Sequence, residues 1–373
     1  MTLSIYKRRL IVASKGTVLV AGAGGLVGRA TIDQYRSEGG WEVVALSRRP
    51  PEPPTGAAHL AVDLTDAAAC RARLGEIRGV THVVYAALFE KPDLTEGWLE
   101  ADQIAVNLGM LTNLLDAVEP NNPTLRHIAL LQGAKAYGVH LGQIPVPARE
   151  SAPRHIHPNF YWEQQDFLAA RQVGKDWSWT VFRPQVVFGF AYPSMMNMIV
   201  AVGAYAAISR QLGLPLAYPG SGTRVTEATD ARLLARAIAW SGRTPAASNQ
   251  IFNVTNGDVF TWENVWPVIA HAFSMPVGLP HPMPLHRIMP GHARTWRTIV
   301  KHYGLEPVAL DTLVSGSWQF ADFAFSRTHS TSSLLSTIKI RQAGFDACID
   351  TEESLSWWLA HLQERRILPP VAG

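Results

Sequence analysis

The sequence of 373 residues predicts an α/β fold, in which a doubly wound parallel sheet is followed by a smaller, mostly helical lobe. Short, continuously apolar runs recur along the first half of the chain, as expected of parallel strands that are buried on both faces. Segments with helical spacing separate these runs, a pattern that is typical of βαβ crossovers. After Phe188 the composition shifts to dense Pro, Gly, Met and aromatic residues, which indicates a different kind of structure.

Seven runs are predicted to be strands of the sheet: residues 17–21, 41–47, 59–62, 81–87, 125–132, 179–182 and 251–254. Helical spacing follows the first strand at residues 29–39 and the fourth at residues 104–117. We predict a first domain of residues 17–190, to which residues 225–256 return, and a substrate-binding lobe of residues 191–224 and 257–373. That lobe should cover the carboxyl edge of the sheet, where open α/β folds bind their ligands.

Composition and charge exclude several functional classes. Hydrophobic residues make up 47% and charged residues 17% of the chain, as in a folded globular protein. The net charge is +3 and the basic residues are scattered, so no nucleic-acid partner is expected. No apolar segment approaches the roughly 20 residues that cross a bilayer, and residues 1–16 resemble a loose extension more than a signal peptide.

Cys70 and Cys348 lack a metal-binding or CxxC spacing, which favours a reduced, cytoplasmic protein. The His-rich run at residues 280–292 is broken by prolines, so no metal site is expected there.

A glycine-rich loop follows the first predicted strand. GAGGLVG places Gly22, Gly25 and Gly28 in a GxxGxxG spacing, and a predicted helix comes next. Glycines at these positions allow a tight turn and a close approach of backbone N–H groups to a pyrophosphate. The spacing favours a dinucleotide-binding Rossmann domain, and a flexible turn between strand and helix is the alternative for so short a pattern.

The end of the second strand indicates which dinucleotide binds. NAD-binding proteins usually carry an acidic residue there for the ribose 2′-hydroxyl. This chain has Ser47-Arg48-Arg49-Pro50, and two guanidinium groups can bind a 2′-phosphate unless they are simply solvated. The predicted cofactor is therefore NADPH/NADP+. Asp63, at the end of the third strand, is expected either to bind the adenine edge or to cap a helix.

Tyr161 is the first candidate for catalysis, although it lacks the lysine that normally accompanies such a tyrosine. In the common short-chain dehydrogenase arrangement a Lys four residues after the Tyr lowers the pKa of the phenol. The residue at that position is Gln165, and no Tyr in the chain has Lys at this spacing. Lys135, just past the fifth strand, could supply the cation from another element, because that strand should end beside the helix that carries Tyr161.

Four longer segments resemble those of a known family. They read LLQGAKAYG around Lys135, NFYWEQQDFL around Tyr161, RPQVVFGFAYPSMMNMIVAVGAYAAI from Arg183, and QIFNVTNGDVFTW from Gln250. Each is similar to a motif of the progesterone 5β-reductase / iridoid synthase-like enzymes, a branch of the short-chain dehydrogenase/reductase superfamily. The resemblance covers nearly the whole chain, from the glycine loop to the C-terminal helix, and its motifs are long and specific.

The resemblance implies an enzyme whose catalytic pair is Tyr161 and Lys135 and whose cofactor is NADPH. Members of the family reduce the C=C bond of α,β-unsaturated carbonyl compounds by 1,4-addition of hydride. Hydride would reach the β-carbon, and Tyr161, polarised by Lys135, would stabilise the enolate. The resemblance also implies further cofactor contacts from Leu26, Val27, Leu64, Gln132, Val187, Ser194 and Met196.

Departures from the family pattern leave the substrate open. Val186 stands where plant members typically have Asn, and Leu88 stands where they often have Trp, both at positions expected to face the substrate. We therefore expect a small, apolar α,β-unsaturated carbonyl substrate without naming it, and a homodimer remains open.

Three alternatives to enone reduction stay in view. The first two are extended short-chain dehydrogenase activities, namely carbonyl reduction and nucleotide-sugar epimerisation or dehydration. Gln165 counts against the nucleotide-sugar enzymes, which normally keep the Tyr-x-x-x-Lys pair. The third is a regulator that senses NADPH without turnover.

Overall fold

The computed structural model describes residues 15–91, 96–222, 224–326 and 332–371. The predicted N-terminal extension, residues 1–16, lies outside the described residues except for Lys15 and Gly16.

A seven-stranded parallel sheet forms the centre of the molecule, which confirms the predicted fold class. The strands of the chain are β1 (Gly16–Ala21), β2 (Trp41–Ser47), β3 (Ala58–Ala61), β4 (Val80–Tyr85), β5 (His127–Leu131), β6 (Ser178–Pro184), β7 (Val186–Phe188), β8 (Ala228–Asp230) and β9 (Gln250–Val254). The order across the main sheet is β3-β2-β1-β4-β5-β6-β9, and β7 pairs with β8 in a small second sheet. Each of the seven predicted runs overlaps one strand of the main sheet.

Helices connect the strands and build most of the second half of the chain. They are α1 (Leu26–Glu38), α2 (Ala67–Leu74), α3 (Ala101–Val118), α4 (Phe160–Gln172), α5 (Met198–Gln211), α6 (Ala231–Ser241), α7 (Trp262–Ala272), α8 (Leu285–Ile288), α9 (Ala293–Tyr303), α10 (Leu310–Val314), α11 (Ser317–Phe325), α12 (Ile338–Gln342) and α13 (Thr351–Glu364). Asn159 begins α4, because its side chain accepts a hydrogen bond from the backbone N–H of Tyr161 at 3.0 Å. Among the described helices, none combines the length and the apolar character needed to cross a membrane.

The sheet is covered by helices on both faces. One apolar cluster joins the strands to α1 and α6, for example through Ile32 and Ile238. The other joins them to α2, α3 and α4, through residues such as Leu114 and Leu168. Burial on both faces explains why the inner strands are continuous apolar runs in the sequence, whereas the edge strand β3 is partly exposed.

A third and larger apolar cluster contains α5, α7, α9, α11 and α13. Residues 198–209 of α5 are all buried in it, so this run of small and apolar residues serves packing. Ala228 and Ala231, from the segment predicted to return to the first domain, also belong to this cluster. The predicted domain boundaries therefore stay a prediction, since one core joins residues from both sides of them.

The strand order places a crevice at the carboxyl edge of the sheet. The chain runs from β1 outward to β2 and β3, and then resumes at β4 on the other side of β1. At such a switch point the connections leave in opposite directions, and open α/β folds bind ligands in the crevice between them.

Candidate active site

A cavity of about 570 Å³ runs along the carboxyl edge of the sheet, from the glycine-rich turn after β1 to the first turn of α4. Thirteen of the predicted site residues line it: Gly22, Gly25, Leu26, Val27, Arg48, Asp63, Leu64, Gln132, Lys135, Tyr161, Val187, Ser194 and Met196. Two predicted site residues, Gly28 and Arg49, lie outside the lining of the cavity as the described part of the chain forms it.

The cavity has two ends, which differ in their chemistry. One part is lined by Gly22, residues 24–27, Arg48 and Asp63, and we call it the cofactor end. The part that Glu90, Trp98, Lys135 and Tyr161 line is the chemistry end.

The glycine turn is shaped by close backbone packing. Gly22 has a φ of 83°, and a Cβ there would lie 2.5 Å from the Ala86 carbonyl oxygen. A Cβ on Gly28 would lie 2.2 Å from the Gly22 carbonyl oxygen. Gly28 thus brings α1 against the turn from behind the cavity. Gly24, which the spacing did not single out, faces the cavity, and a Cβ on it would meet no described atom within 4 Å.

The end of β2 contributes one arginine to the cavity wall. Arg48 lines the cavity, whereas Arg49 is exposed outside it and its carbonyl accepts a hydrogen bond from the Ser47 hydroxyl at 2.7 Å. Asp63 lines the cavity as well, and its carboxylate accepts hydrogen bonds from the backbone and hydroxyl of Thr65. The backbone hydrogen bond from Thr65, with a smaller contribution from Arg48, lowers the pKa of Asp63. The side chain of Asp66, and not that of Asp63, caps the following helix, α2. Of the two roles predicted for Asp63, the contact with the adenine edge stays a prediction.

Tyr161 and Lys135 reach the chemistry end from separate elements. Tyr161 lies in the first turn of α4, and Lys135 lies in a short 3-10 turn, Ala134–Tyr137, just after β5. The Asn159 side chain donates to the Lys135 carbonyl at 2.9 Å, and the Gln132 amide donates to the Tyr161 carbonyl at 2.6 Å. Trp162 adds a third link, because its indole N–H donates to the Ala136 carbonyl at 3.2 Å. These bonds fix the tyrosine helix and the lysine turn relative to each other.

The position four residues after Tyr161 has a structural use. The Gln165 side chain accepts a hydrogen bond from Arg183 at 3.0 Å, and Arg183 also donates to the Gln132 side chain at 2.9 Å. The buried Arg183 guanidinium lies 4.9 Å from the centre of the Tyr137 ring. Gln165 therefore helps to hold a second cation behind Tyr161, where the common arrangement has a lysine.

A carboxylate and an indole, which the sequence analysis did not single out, surround the lysine. Lys135 Nζ lies 3.5 Å from Glu90 Oε1 and 4.0 Å from the centre of the Trp98 ring. The Trp98 indole N–H donates to Glu90 Oε1 at 2.9 Å, and its ring lies edge-on to the Tyr161 ring at 4.9 Å. The Glu90 side chain is only 6% exposed. The available signal was its position, in the run FEKP directly after β4, at the edge where ligands bind.

The surroundings of Tyr161 do not lower the pKa of its phenol, although pairing with a lysine was expected to do so. Burial and then the Glu90 carboxylate raise the pKa of Tyr161 above its ordinary value, while Arg183 opposes that shift. Both effects disfavour loss of the phenol proton, since a buried phenolate would be poorly solvated and would lie near a carboxylate. Tyr161 is therefore held as a neutral hydrogen-bond donor at ordinary pH.

Three histidine rings lie beside this group. The His157 ring centre is 5.2 Å from that of His140 and 5.6 Å from that of His155. Burial, and next the charge of Lys135, lower the pKa of His140 to about 3, so this ring is neutral. Neither here nor elsewhere do the described residues contain three or more His, Cys, Asp or Glu residues placed to hold a metal ion.

Most of the remaining described lining of the cavity is apolar, and Gln164, Gln185, Arg224, Thr226 and Ser333 add polar groups to it. At the chemistry end the wall is made largely of aromatic and methionine side chains, namely Phe89, Met110, Phe160, Met195, Phe320 and Phe323. Leu88 and Val186, the two positions at which this chain departs from the plant pattern, also line the cavity. Such a wall favours an apolar ligand with few polar groups.

Comparison with known proteins identifies related chains. The family model described as a PRISE-like Rossmann-fold domain matches residues 59–369. An (S)-8-oxocitronellyl enol synthase from Camptotheca acuminata is 32% identical, over 94% of this chain and 93% of its own length. A 3-oxo-Delta(4,5)-steroid 5-beta-reductase from Arabidopsis thaliana is 30% identical, over 95% of this chain and 94% of its own length.

Solved structures with a similar fold include nucleotide-sugar enzymes. A UDP-glucose 4-epimerase from Thermotoga maritima, solved with UDP-glucose, has a TM-score of 0.66 at 15% identity and covers 93% of this chain and 99% of its own. A Thermus thermophilus UDP-glucose 4-epimerase in complex with NAD has a TM-score of 0.64 at 19% identity, with the same coverage of both chains. At these identities the likeness supports the fold alone.

Proposed function

The chain belongs to the family of PRISE-like Rossmann-fold domains, and we propose that it is an NADPH-dependent oxidoreductase that reduces the C=C bond of α,β-unsaturated carbonyl compounds. The names of its relatives support this activity, since they include a 3-oxo-Delta(4,5)-steroid 5-beta-reductase. The observation that carries the proposal is the arrangement of Tyr161 and Lys135, which reach one cavity from two elements, together with the glycine turn.

The cofactor end fits a dinucleotide. The open space beside Gly24 and the N-terminus of α1 provide an unobstructed, electropositive backbone surface for a pyrophosphate. Arg48 would bind the 2′-phosphate, with Arg49 contributing from outside the wall. We propose NADPH for this reason, and because Asp63, a carboxylate on the same wall, is already engaged by Thr65. When bound, the nicotinamide supplies the hydride.

At the chemistry end, Tyr161 and Lys135 act on the substrate carbonyl. As the β-carbon is reduced, negative charge develops on the carbonyl oxygen of the enone. The neutral Tyr161 hydroxyl donates a hydrogen bond to that oxygen, and the Lys135 ammonium adds positive potential nearby. Because the largely apolar, aromatic wall strengthens both interactions, the developing enolate is stabilised relative to the uncharged substrate. A proton from Tyr161 or from solvent then completes the α-carbon.

In this proposal residues 17–190 and 225–256 would hold the cofactor and supply the catalytic side chains of the chemistry end. Residues 191–224 and 257–373 would add part of the wall around the substrate. Met195 and Phe320 are examples of that wall. A small apolar enone fits such lining better than a nucleotide sugar, whose many hydroxyl groups would need polar partners.

Product analysis tests the proposed reaction. Purified protein is incubated with NADPH and a panel of small cyclic and acyclic enones, and the products are separated. The saturated ketone or aldehyde is expected. Formation of the allylic alcohol alone would instead indicate carbonyl reduction, and would remove the 1,4-addition from the proposal.

Matched variants test the residues. Lys135→Ala should lower kcat strongly, whereas Lys175→Ala, at a half-exposed lysine paired with Glu119, should not. Binding of NADPH, followed by fluorescence, should be nearly the same in both variants. Full activity of Lys135→Ala would contradict the assignment.

A further inference from the structure

We propose that Glu90 is a positioning residue for the reduction: it holds the Lys135 ammonium at the cavity wall beside Tyr161, through a buried contact in which the Trp98 indole takes part. This inference rests on the proposed function, and it adds a residue that acts through the two others.

The geometry places Glu90 at the centre of a small buried network. Its carboxylate contacts the Lys135 ammonium at 3.5 Å and receives the Trp98 indole N–H at 2.9 Å. The Trp98 ring in turn lies under the ammonium, at 4.0 Å, and against the edge of the Tyr161 ring, at 4.9 Å. Glu90 is thus joined to Lys135 directly and, through one indole, to both catalytic candidates.

Burial strengthens the interaction between the Glu90 carboxylate and the Lys135 ammonium. The Glu90 side chain is 6% exposed and that of Lys135 19% exposed, so solvent screens their interaction little. A lone ammonium this close to an aromatic, water-poor wall would be costly to keep charged. The carboxylate offsets that cost, and the indole N–H fixes the carboxylate in place.

The charges around Tyr161 explain why the enzyme would need such a group. Arg183 favours loss of the Tyr161 proton, whereas burial and then the Glu90 carboxylate oppose it and raise the pKa of Tyr161. A phenolate could not donate a hydrogen bond to an enolate, and like charges would repel. Glu90 therefore acts in the same direction as burial, against the charge of Arg183.

Other titratable groups near the network do not replace Glu90. His140 faces Lys135 but is neutral, since burial lowers its pKa to about 3, and burial also lowers the pKa of His157. Lys91, the next residue along the chain, is paired outside the cavity with Glu100 and Asp102. Among the described groups, Glu90 is therefore the carboxylate that sets the charge balance at the chemistry end.

The first experiment measures Lys135 itself and needs no turnover. Lysines of the purified full chain are labelled with an amine-reactive reagent across a pH series, and the Lys135 peptide is quantified by mass spectrometry. In Glu90→Gln the half-reaction point of Lys135 should fall by about one pH unit or more, because an opposite charge has been removed. Lys175 and Lys301 should not change. Glu163→Gln, at an exposed glutamate of α4, is the matched control and should leave Lys135 as in the wild type.

The second experiment measures the pH profile of enone reduction. In Glu90→Gln the alkaline fall of kcat should begin at lower pH, and Glu90→Asp should partly restore it. Trp98→Phe, which keeps the ring and removes the N–H donor, should give a smaller shift in the same direction and protects the test against a variant that fails to fold. Unchanged Lys135 labelling and an unchanged profile in Glu90→Gln would overturn the role of Glu90. If the wild type reduces no enone, the proposed function fails, and the labelling still decides whether Glu90 holds Lys135.

Discussion

The cofactor end and the chemistry end of the cavity are built in different ways. The cofactor end comes largely from one short segment, residues 22–27, whose backbone packing against Ala86 and Gly28 determines its shape. The chemistry end brings together Glu90, Trp98, Lys135 and Tyr161 from three separate parts of the chain, and side chains hold them. Substitutions that add atoms should thus disturb the cofactor end. Substitutions that remove a charge or a hydrogen-bond donor should disturb the chemistry end.

The largest effect is expected at the chemistry end. Tyr161→Phe removes the hydroxyl that donates to the developing enolate and leaves the ring packed against Trp98, so kcat should fall about 10²–10³-fold. NADPH binding should stay within about twofold of the wild type. Steady-state kinetics with an enone and a separate NADPH titration check both points. Tyr303→Phe serves as the control, and a kcat for Tyr161→Phe close to that of the wild type would contradict the role of this hydroxyl.

An added methyl group tests the backbone packing of the cofactor end. A Cβ on Gly28 would lie 2.2 Å from the Gly22 carbonyl oxygen, so Gly28→Ala should lower the free energy of unfolding by roughly 1–3 kcal/mol. Gly24→Ala, in the same turn, has room for the methyl group and should change it by no more than about 0.5 kcal/mol. Urea unfolding without added cofactor separates the two. Equal stability of both variants would show that helix packing does not depend on Gly28.

The stability of the folded protein should depend on pH through Glu227, a buried carboxyl group. Glu227 is 6% exposed, accepts the Leu335 backbone N–H at 2.7 Å, and so holds the segment that carries Ser333 to the cavity. Burial raises the pKa of Glu227 from 4.5 to about 7. Between pH 4.5 and about 7, Glu227 keeps its proton in the folded protein and loses it in the unfolded chain. The free energy of unfolding therefore falls as pH rises through this range.

Glu227→Gln should remove this loss. At pH 8 the variant should be more stable than the wild type by on the order of 2 kcal/mol, and near pH 4 the difference should vanish. Urea midpoints at the two pH values measure it. A variant that is less stable at pH 8 would mean that Glu227 is charged and well stabilised in the folded protein.

The smallest effect is expected from the two arginines. Arg48→Ala should raise the KM for NADPH about tenfold and leave the KM for NADH nearly unchanged, because only NADPH carries the 2′-phosphate. Arg49→Ala should have the weaker effect, since Arg49 is outside the cavity wall. Equal rises of KM for both cofactors in Arg48→Ala would exclude the phosphate contact.

The sequence was informative where local pattern determines structure. Continuous apolar runs located the inner strands, because a parallel sheet buried on both faces leaves such runs, and the alternation of strands and helices added the partly exposed edge strand β3. The order of strands and glycines located the turn after β1. The pairing of Tyr161 with Lys135 was inferred from the predicted end of the fifth strand beside the helix of Tyr161, and the resemblance of two motifs supported it; spacing along the chain alone did not indicate it. Glu90 and Trp98 escaped notice because their meaning depends on contacts with Lys135, and no local period marks such contacts. The separate functions of Gly24 and Gly28 likewise appear only when the backbone around them is known.

Tyr161 and Lys135 are proposed to form a two-element site for 1,4-addition of hydride, and the position of a transferred label distinguishes this reaction from carbonyl reduction. NADPH carrying deuterium at the 4-position is supplied with an enone that the protein reduces, and the product is examined by NMR. We expect deuterium at the β-carbon of a saturated carbonyl product, which Tyr161→Phe should form at a strongly reduced rate. Deuterium at the former carbonyl carbon, in an allylic alcohol, would contradict this expectation.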